Sequence, residues 1–224
     1  VRYMPRITKN ILAAVSIENP QNYISADGIK TQSRDSYIPD FAAMVQYDWG
    51  HLSSQHVRLS AIYRSLPYRN LVNGTNHNMA GWGVQLSSVN HPIDPLTLYL
   101  TFNYGAGYEG MGGDLLVGNC DLIGDPDRPG YMYAPRAFGW CAGVQYNFRP
   151  NLYMTLIASQ SRMLPSKAID ADQYKYGLQG TVNIFWNPLP RVMLGAEFDI
   201  AKRQNFSRAH DYSRRVGIVG QLSF

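Results

Sequence analysis

Residues 39–64 read PDFAAMVQYDWGHLSSQHVRLSAIYR. From Phe41 onward one set of alternate positions is apolar (Phe41, Ala43, Val45, Tyr47, Trp49), and the other runs Ala42, Met44, Gln46, Asp48. After a break at Gly50 to Ser54, Val57, Leu59, Ala61 and Tyr63 stand against Arg58, Ser60, Ile62 and Arg64. A period of two sends neighbouring side chains to opposite faces of a strand, so this stretch predicts two strands, each with one greasy and one wet face. Arg58 falls in mid-strand, where a soluble sandwich rarely tolerates a charge but a membrane barrel with a polar interior accommodates one.

The same dyad recurs along the chain. Trp82, Val84 and Leu86 oppose Gly83, Gln85 and Ser87; Leu96, Leu98, Leu100, Phe102 and Tyr104 oppose Thr97, Tyr99, Thr101 and Asn103. Phe138, Trp140, Ala142, Val144, Tyr146 and Phe148 form another apolar set, as do Leu152, Met154 and Leu156. Tyr174, Tyr176, Leu178, Val182, Ile184 and Trp186 face away from Lys175, Gln179, Thr181 and Asn183; Val192 to Ile200 and Val216 to Phe224 complete the series. Strands of about 9 to 11 residues with this pattern have the length to cross a bilayer at a barrel tilt.

The bulk numbers are compatible with this. A net charge of +4 and a slightly negative mean hydropathy resemble those of a soluble protein. A barrel, however, never shows the roughly 18-residue apolar run of a transmembrane helix. The chain opens at Val1 without a charged-then-apolar leader, so a signal peptide is expected to be cleaved or to lie outside this sequence. Residues 1–224 read as a single transmembrane β-barrel domain in the bacterial outer membrane, all-β, antiparallel and up-and-down.

Connections alternate in kind. Arg6 to Asn10, Gly50 to Ser54, His91 to Asp94, Arg149 to Asn151 and Asn187 to Pro190 are short. Asn19 to Tyr37, Pro67 to His77, Tyr108 to Arg136, Met163 to Asp172 and Arg203 to Asp211 read as long polar loops. Sorting by length is the outer-membrane arrangement, with the short turns periplasmic. Aromatic residues mark both rims, Trp49, Phe148 and Trp186 on the short-turn side and Tyr63, Tyr104, Tyr174 and Tyr176 towards the long loops, as lipid-interface girdles. Counting gives about eleven strands, the first roughly Val1 to Ile7. Because bacterial single-chain barrels close with an even number, further N-terminal strands are expected outside this sequence.

The stretch Pro39 to Arg64 and the ending RRVGIVGQLSF resemble the DcaP-like family of trimeric outer-membrane porins. The terminal Phe224 is similar to the C-terminal aromatic assembly signal of outer-membrane barrels. The resemblance implies a 16-stranded barrel of which this chain is the C-terminal portion, a homotrimer, and passive uptake of small, often anionic organic solutes.

If the apolar positions meet lipid, the pore-lining set is Arg2, Arg6, Arg58, Arg64, Lys175, Arg191 and Arg215, with acidic Glu18, Asp48, Glu197 and Asp199. A net basic wall lowers the barrier to anions. Taken singly, each arginine reads as a partner for Asp48, Glu18 or Glu197; as a set they read as anion preference, with Arg58 and Arg64 foremost because they share a face of one strand. The Tyr108 to Arg136 loop carries Asp114, Asp121, Asp125 and Asp127, oxygen ligands for a cation such as calcium, but without the spacing of a calcium loop. A solvated loop narrowing the mouth is therefore preferred, and no metal or other cofactor is expected. Cys120 and Cys141 allow one bridge if this loop folds inward. Arg162, Lys202 and Arg214 take outward phase near strand ends, where they read equally as contacts for lipopolysaccharide phosphates and as plain solvated strand ends.

His51, His56, His77, His91 and His210 are scattered, with none beside a serine on the outward wall, which argues against a lipid hydrolase. Basic residues spread singly over many strands exclude a nucleic-acid patch. A diffusion porin is the preferred reading, and a surface receptor or adhesin without an open pore is the alternative.

Overall fold

The computed structural model describes residues 1–50, 54–108 and 121–223. Its strands are β1 (Arg2–Tyr3), β2 (Ile11–Glu18), β3 (Thr31–Ser33), β4 (Asp40–Trp49), β5 (Gln55–Asn70), β6 (Asn76–Ile93), β7 (Leu96–Ala106), β8 (Ile123–Gly124), β9 (Met132–Tyr133), β10 (Arg136–Arg149), β11 (Leu152–Leu164), β12 (Tyr174–Leu189), β13 (Val192–Asn205) and β14 (His210–Leu222). One 12-stranded sheet runs β1-β2-β4-β5-β6-β7-β10-β11-β12-β13-β14, with β3 added beside β5, while β8 and β9 form a separate hairpin. Every pair in the main sheet is antiparallel, so the fold is an up-and-down meander whose two edges, among the described residues, are β1 and β14.

Register explains why the dyad is legible. Residues directly opposite each other in antiparallel strands share a face. Phe41 pairs with Tyr63 and Tyr63 with Trp82. Farther along, Val144, Leu156, Val182, Phe198 and Val216 form one continuous row across five strands. This face is exposed along its length: Leu59 is 58% accessible, Val45 55% and Trp186 48%. A contiguous apolar surface of that extent is untenable in water and is the surface a barrel presents to lipid.

Three loops depart from expectation. Pro67 to His77 is mostly strand: β5 and β6 continue their ladder to Arg69 opposite Asn76, with Pro67 opposite Asn78. Within Asn19 to Tyr37, β3 adds onto the far end of β5, Thr31 opposite Asn70. Arg203 to Asp211 shrinks to a turn, because β13 and β14 pair as far as Gln204 opposite His210. Along this extension of β5 the polar face turns apolar. Leu66 and Tyr68 pack with Leu122 and Met132 in a buried cluster supported by Ile24, Met79 and Ala134. The extended hairpin is therefore the platform on which the loop bearing β8 and β9 folds, and polarity alone misread it as loop.

Candidate functional site: the polar face of the sheet

The face opposite the apolar one collects every Asp and Glu of the described strands. Glu18 stands opposite Asp40, Asp199 opposite Arg215 and Arg203 opposite Asp211, with Asp48 and Glu197 on the same phase. Strand alternation places them there, and ion pairs and amide bridges then organise them into three groups.

The first group surrounds Arg64, whose side chain has no exposed surface. Its Nε donates to Asp40 Oδ2 at 3.1 Å, and its Nη1 donates to Asp121 Oδ2 at 2.8 Å and to the Gly107 carbonyl at 3.2 Å. Its Nη2 donates to the carbonyl of Gln21. Asp121 is equally buried, and its Oδ2 also accepts the Tyr23 amide at 3.0 Å. The Asp121 amide returns to the Tyr23 carbonyl at 2.8 Å, and Ile24 and Leu122 form a parallel bridge. One guanidinium thus holds two loop segments, around Tyr23 and around Asp121, against the sheet. Arg64 therefore departs from its expected role at the pore surface. It faces the predicted way but is sealed between the carboxyl groups of Asp40 and Asp121 and is not presented to solute.

The second group is a relay along β4 and β5. Arg58 Nε donates to Gln46 Oε1 at 2.7 Å, Gln46 Nε2 to Asp48 Oδ1 at 2.5 Å, and Arg6 reaches Asp48 Oδ2 at 3.5 Å. Arg2 and Glu18 pair at 3.9 Å. Arg2, Glu18, Arg58, Gln85 and Tyr108 line a hollow of about 290 Å³ on this face. The Tyr108 side chain packs closely over Gly83 and Gly105. A Cβ on Gly105 would come within 2.6 Å of its ring, so glycine is required by the close approach.

The third group lies on β12 to β14. Thr181 donates to Asp199 at 2.6 Å, and Arg215 spans Asp199 and Glu197 at 2.7 and 3.0 Å. A second hollow, of about 550 Å³, is lined by Thr101, Cys141, Ser161, Tyr174, Arg203 and Asp211.

Other predicted positions fall elsewhere. Arg191 sits exposed in the tight turn between β12 and β13, off the wall. Lys175 is the extra residue of a β-bulge, since Tyr174 opposes Asn205 and Tyr176 opposes Gln204; its ammonium lies 5.8 Å from the Phe206 ring centroid. The bulge also reverses Tyr174, expected at the lipid interface. Its hydroxyl instead meets Ser161 Oγ at 2.7 Å on the polar face, over Gly177. Most of the remaining girdle aromatics hold apolar-face register: Tyr63 with Trp82, Tyr104 with Phe138, Trp186 with Leu152, Tyr176 with Arg162; Trp49 stacks on Tyr47, while Phe148, at a register shift between Asn147 and Arg149, meets Tyr146 edge-on. Phe224, Cys120, Asp114 and His51 lie outside the described residues. Strand phase could have found Asp40 and Arg203 as wall residues; nothing local marks Asp121 as the partner of Arg64.

Asp125 and Asp127, considered as cation ligands, both meet Lys167 of the β11–β12 loop, at 2.6 and 3.2 Å. Burial pushes the Asp125 carboxyl up, but hydrogen bonds from the Lys167 ammonium and the Asp127 amide outweigh it and hold the group below its ordinary range. Lys167, bonded to Asp125, is raised above its ordinary value. The described residues contain no grouping of three or more metal-ligating side chains.

No protein-family model and no curated protein matches the sequence. Among solved structures, the chain superposes over 100% of its length on the outer-membrane channel DcaP of Acinetobacter baumannii, with a TM-score of 0.82 and 19% identity. The iron transporter FrpB from Neisseria meningitidis matches 97% of the chain with a TM-score of 0.50 and 8% identity. The NanC porin matches 96% with a TM-score of 0.48. The chain spans 61% of the length of the DcaP channel and shares the fold of that outer-membrane β-barrel.

Proposed function

We propose that this chain is the C-terminal portion of a DcaP-like porin in the bacterial outer membrane, a 16-stranded homotrimeric channel through which small hydrophilic, preferentially anionic solutes diffuse. The observation that carries this reading is the segregation of the described strands into an apolar face without carboxylates and a polar face bearing all of their carboxylates. It is supported by superposition of the whole chain on 61% of the outer-membrane channel DcaP. A hydrated, charged inner wall behind a lipid-compatible outer one is what diffusion across a membrane requires.

Anion preference rests on fewer residues than the basic composition suggests. Arg2, Arg6, Arg64 and Arg215 each have a carboxylate partner. Arg58 is held by an amide instead, so its charge is not neutralised locally, and it is the leading selectivity residue. Phe224 would serve as the assembly signal, and contact of the outer rim with lipopolysaccharide belongs to the same reading. The test is the reversal potential of the full-length protein in a planar bilayer under a salt gradient. A stable conductance with anion selectivity, reduced in Arg58→Gln, is expected. Absence of conductance would overturn the porin in favour of a receptor or adhesin.

A further inference from the structure

The apolar face of β10 to β14 gathers four cations at one end, with Arg149, opposite Leu152, at the other. On β10 to β14, at the end facing the long connections, Arg136, Arg162, Lys202 and Arg214 all take outward phase. Arg136 stands opposite Leu164, Arg162 opposite Phe138 and Tyr176, Lys202 opposite Leu178 and Tyr212, and Arg214 opposite Ile200. Arg136 and Arg162 are thus diagonal neighbours across β10 and β11, and Lys202 and Arg214 across β13 and β14, a band with Tyr176 and Leu178 of β12 between the two pairs. The described strands place no carboxylate on this face, so the band has no internal counter-charge. Lys202 is held between two rings, 5.7 Å from the Tyr176 centroid and 5.6 Å from the Tyr212 centroid. Cation–π contact of this kind orients an ammonium without neutralising it. Arg162 Nε is buried and has no hydrogen-bond acceptor.

We propose that this band is a docking site for the phosphate headgroup of a phosphorylated outer-leaflet lipid. Guanidinium and ammonium donors match phosphate oxygens, and the tyrosines lie at the depth where an amphipathic ring spans acyl chain and headgroup. A lipid is the occupant because the cations are continuous with the lipid-facing surface rather than with the polar face. The proposal rests on the outer-membrane reading but not on an open pore.

The experiment uses the full-length protein in neutral detergent, titrated with bis-phosphorylated lipid A and with the same lipid after removal of its phosphates; bound lipid is counted by native mass spectrometry. Each cation near an anionic headgroup strengthens binding roughly fivefold. Wild type is therefore expected to prefer the phosphorylated lipid by at least about tenfold. The combined variant Arg136→Gln, Arg162→Gln, Lys202→Gln, Arg214→Gln is expected to lose that preference while its conductance is unchanged. Equal binding of both lipids by wild type overturns the site even if the variant fails to fold. Unaltered lipid binding by a folded variant whose oligomer dissociates would instead assign the band to a second copy of the chain. Loss of conductance in wild type alone would sink the pore and leave the lipid site standing.

Discussion

The Arg64 guanidinium and the Asp121 carboxylate meet at 2.8 Å with neither side chain exposed, although 57 residues separate them in sequence. Removing one member of a buried pair leaves an uncompensated charge and costs about 3–5 kcal/mol. Arg64→Met is expected to lower the denaturant midpoint of the refolded protein and to expose the chain near Tyr23 and Leu122 to limited proteolysis, because Asp40 and Asp121 both lose the guanidinium. An unchanged cleavage pattern would show that the apolar cluster around Leu66 holds these segments by itself.

Arg58 and Arg64 share a strand face but differ in their partners, so their neutralisation should separate. Arg58→Gln is expected to reduce the anion-to-cation permeability ratio a few-fold with little effect on stability, because its bond to Gln46 is polar but not ionic. Arg215→Gln, which leaves Asp199 and Glu197 uncompensated, should shift selectivity in the same direction. Reversal potentials measured in one lipid and one salt gradient distinguish these effects.

The Lys167 strap sets a pH window. The Asp125 carboxyl is held below its ordinary range, so its contribution is complete above that range and is lost as pH falls through the depressed value. Lys167 is raised, so its contribution is complete below the ordinary ammonium value and is lost only as pH rises through the elevated one. Proteolysis between β8 and β9 should therefore be constant across neutral pH and accelerate in strong acid. Lys167→Met should show the accelerated rate at pH 7.

At the β12 bulge, Tyr174→Phe removes a hydroxyl that bonds Ser161 Oγ at 2.7 Å and the Ser161 carbonyl at 3.2 Å. A cost of about 0.5–1.5 kcal/mol in unfolding free energy is expected. A double-mutant cycle with Ser161→Ala measures the coupling; a coupling of zero would mean that the hydroxyl is satisfied by solvent.

The alternation of β4, β7, β10 and β13, the outward rows of Val144, Leu156 and Phe198, and the placement of Asp48, Glu197 and Asp199 on the polar face were all legible in the sequence. A strand fixes side-chain direction by local geometry alone, and a lipid-facing wall demands the same polarity at every second position. The strand ends were not legible where that demand lapses. Beyond the apolar belt, β5 continues through Leu66 and Tyr68 with its polarity reversed, because a loop rather than water or lipid covers it. The bulge that reverses Tyr174 likewise leaves the residue types unaltered and changes only the register.

What the residues determined by themselves was a two-faced, antiparallel transmembrane sheet and the face on which each strand charge stands. What only the tertiary structure decided was which of those charges remain available. Arg64 and Arg58 are alike in strand phase. One is buried because Asp121 and the backbone of Gln21 arrive from distant loops, and the other stays open because its neighbour across the ladder is Gln46. Pairing of this kind depends on where loops close in space, and the periodicity of a strand carries no record of it.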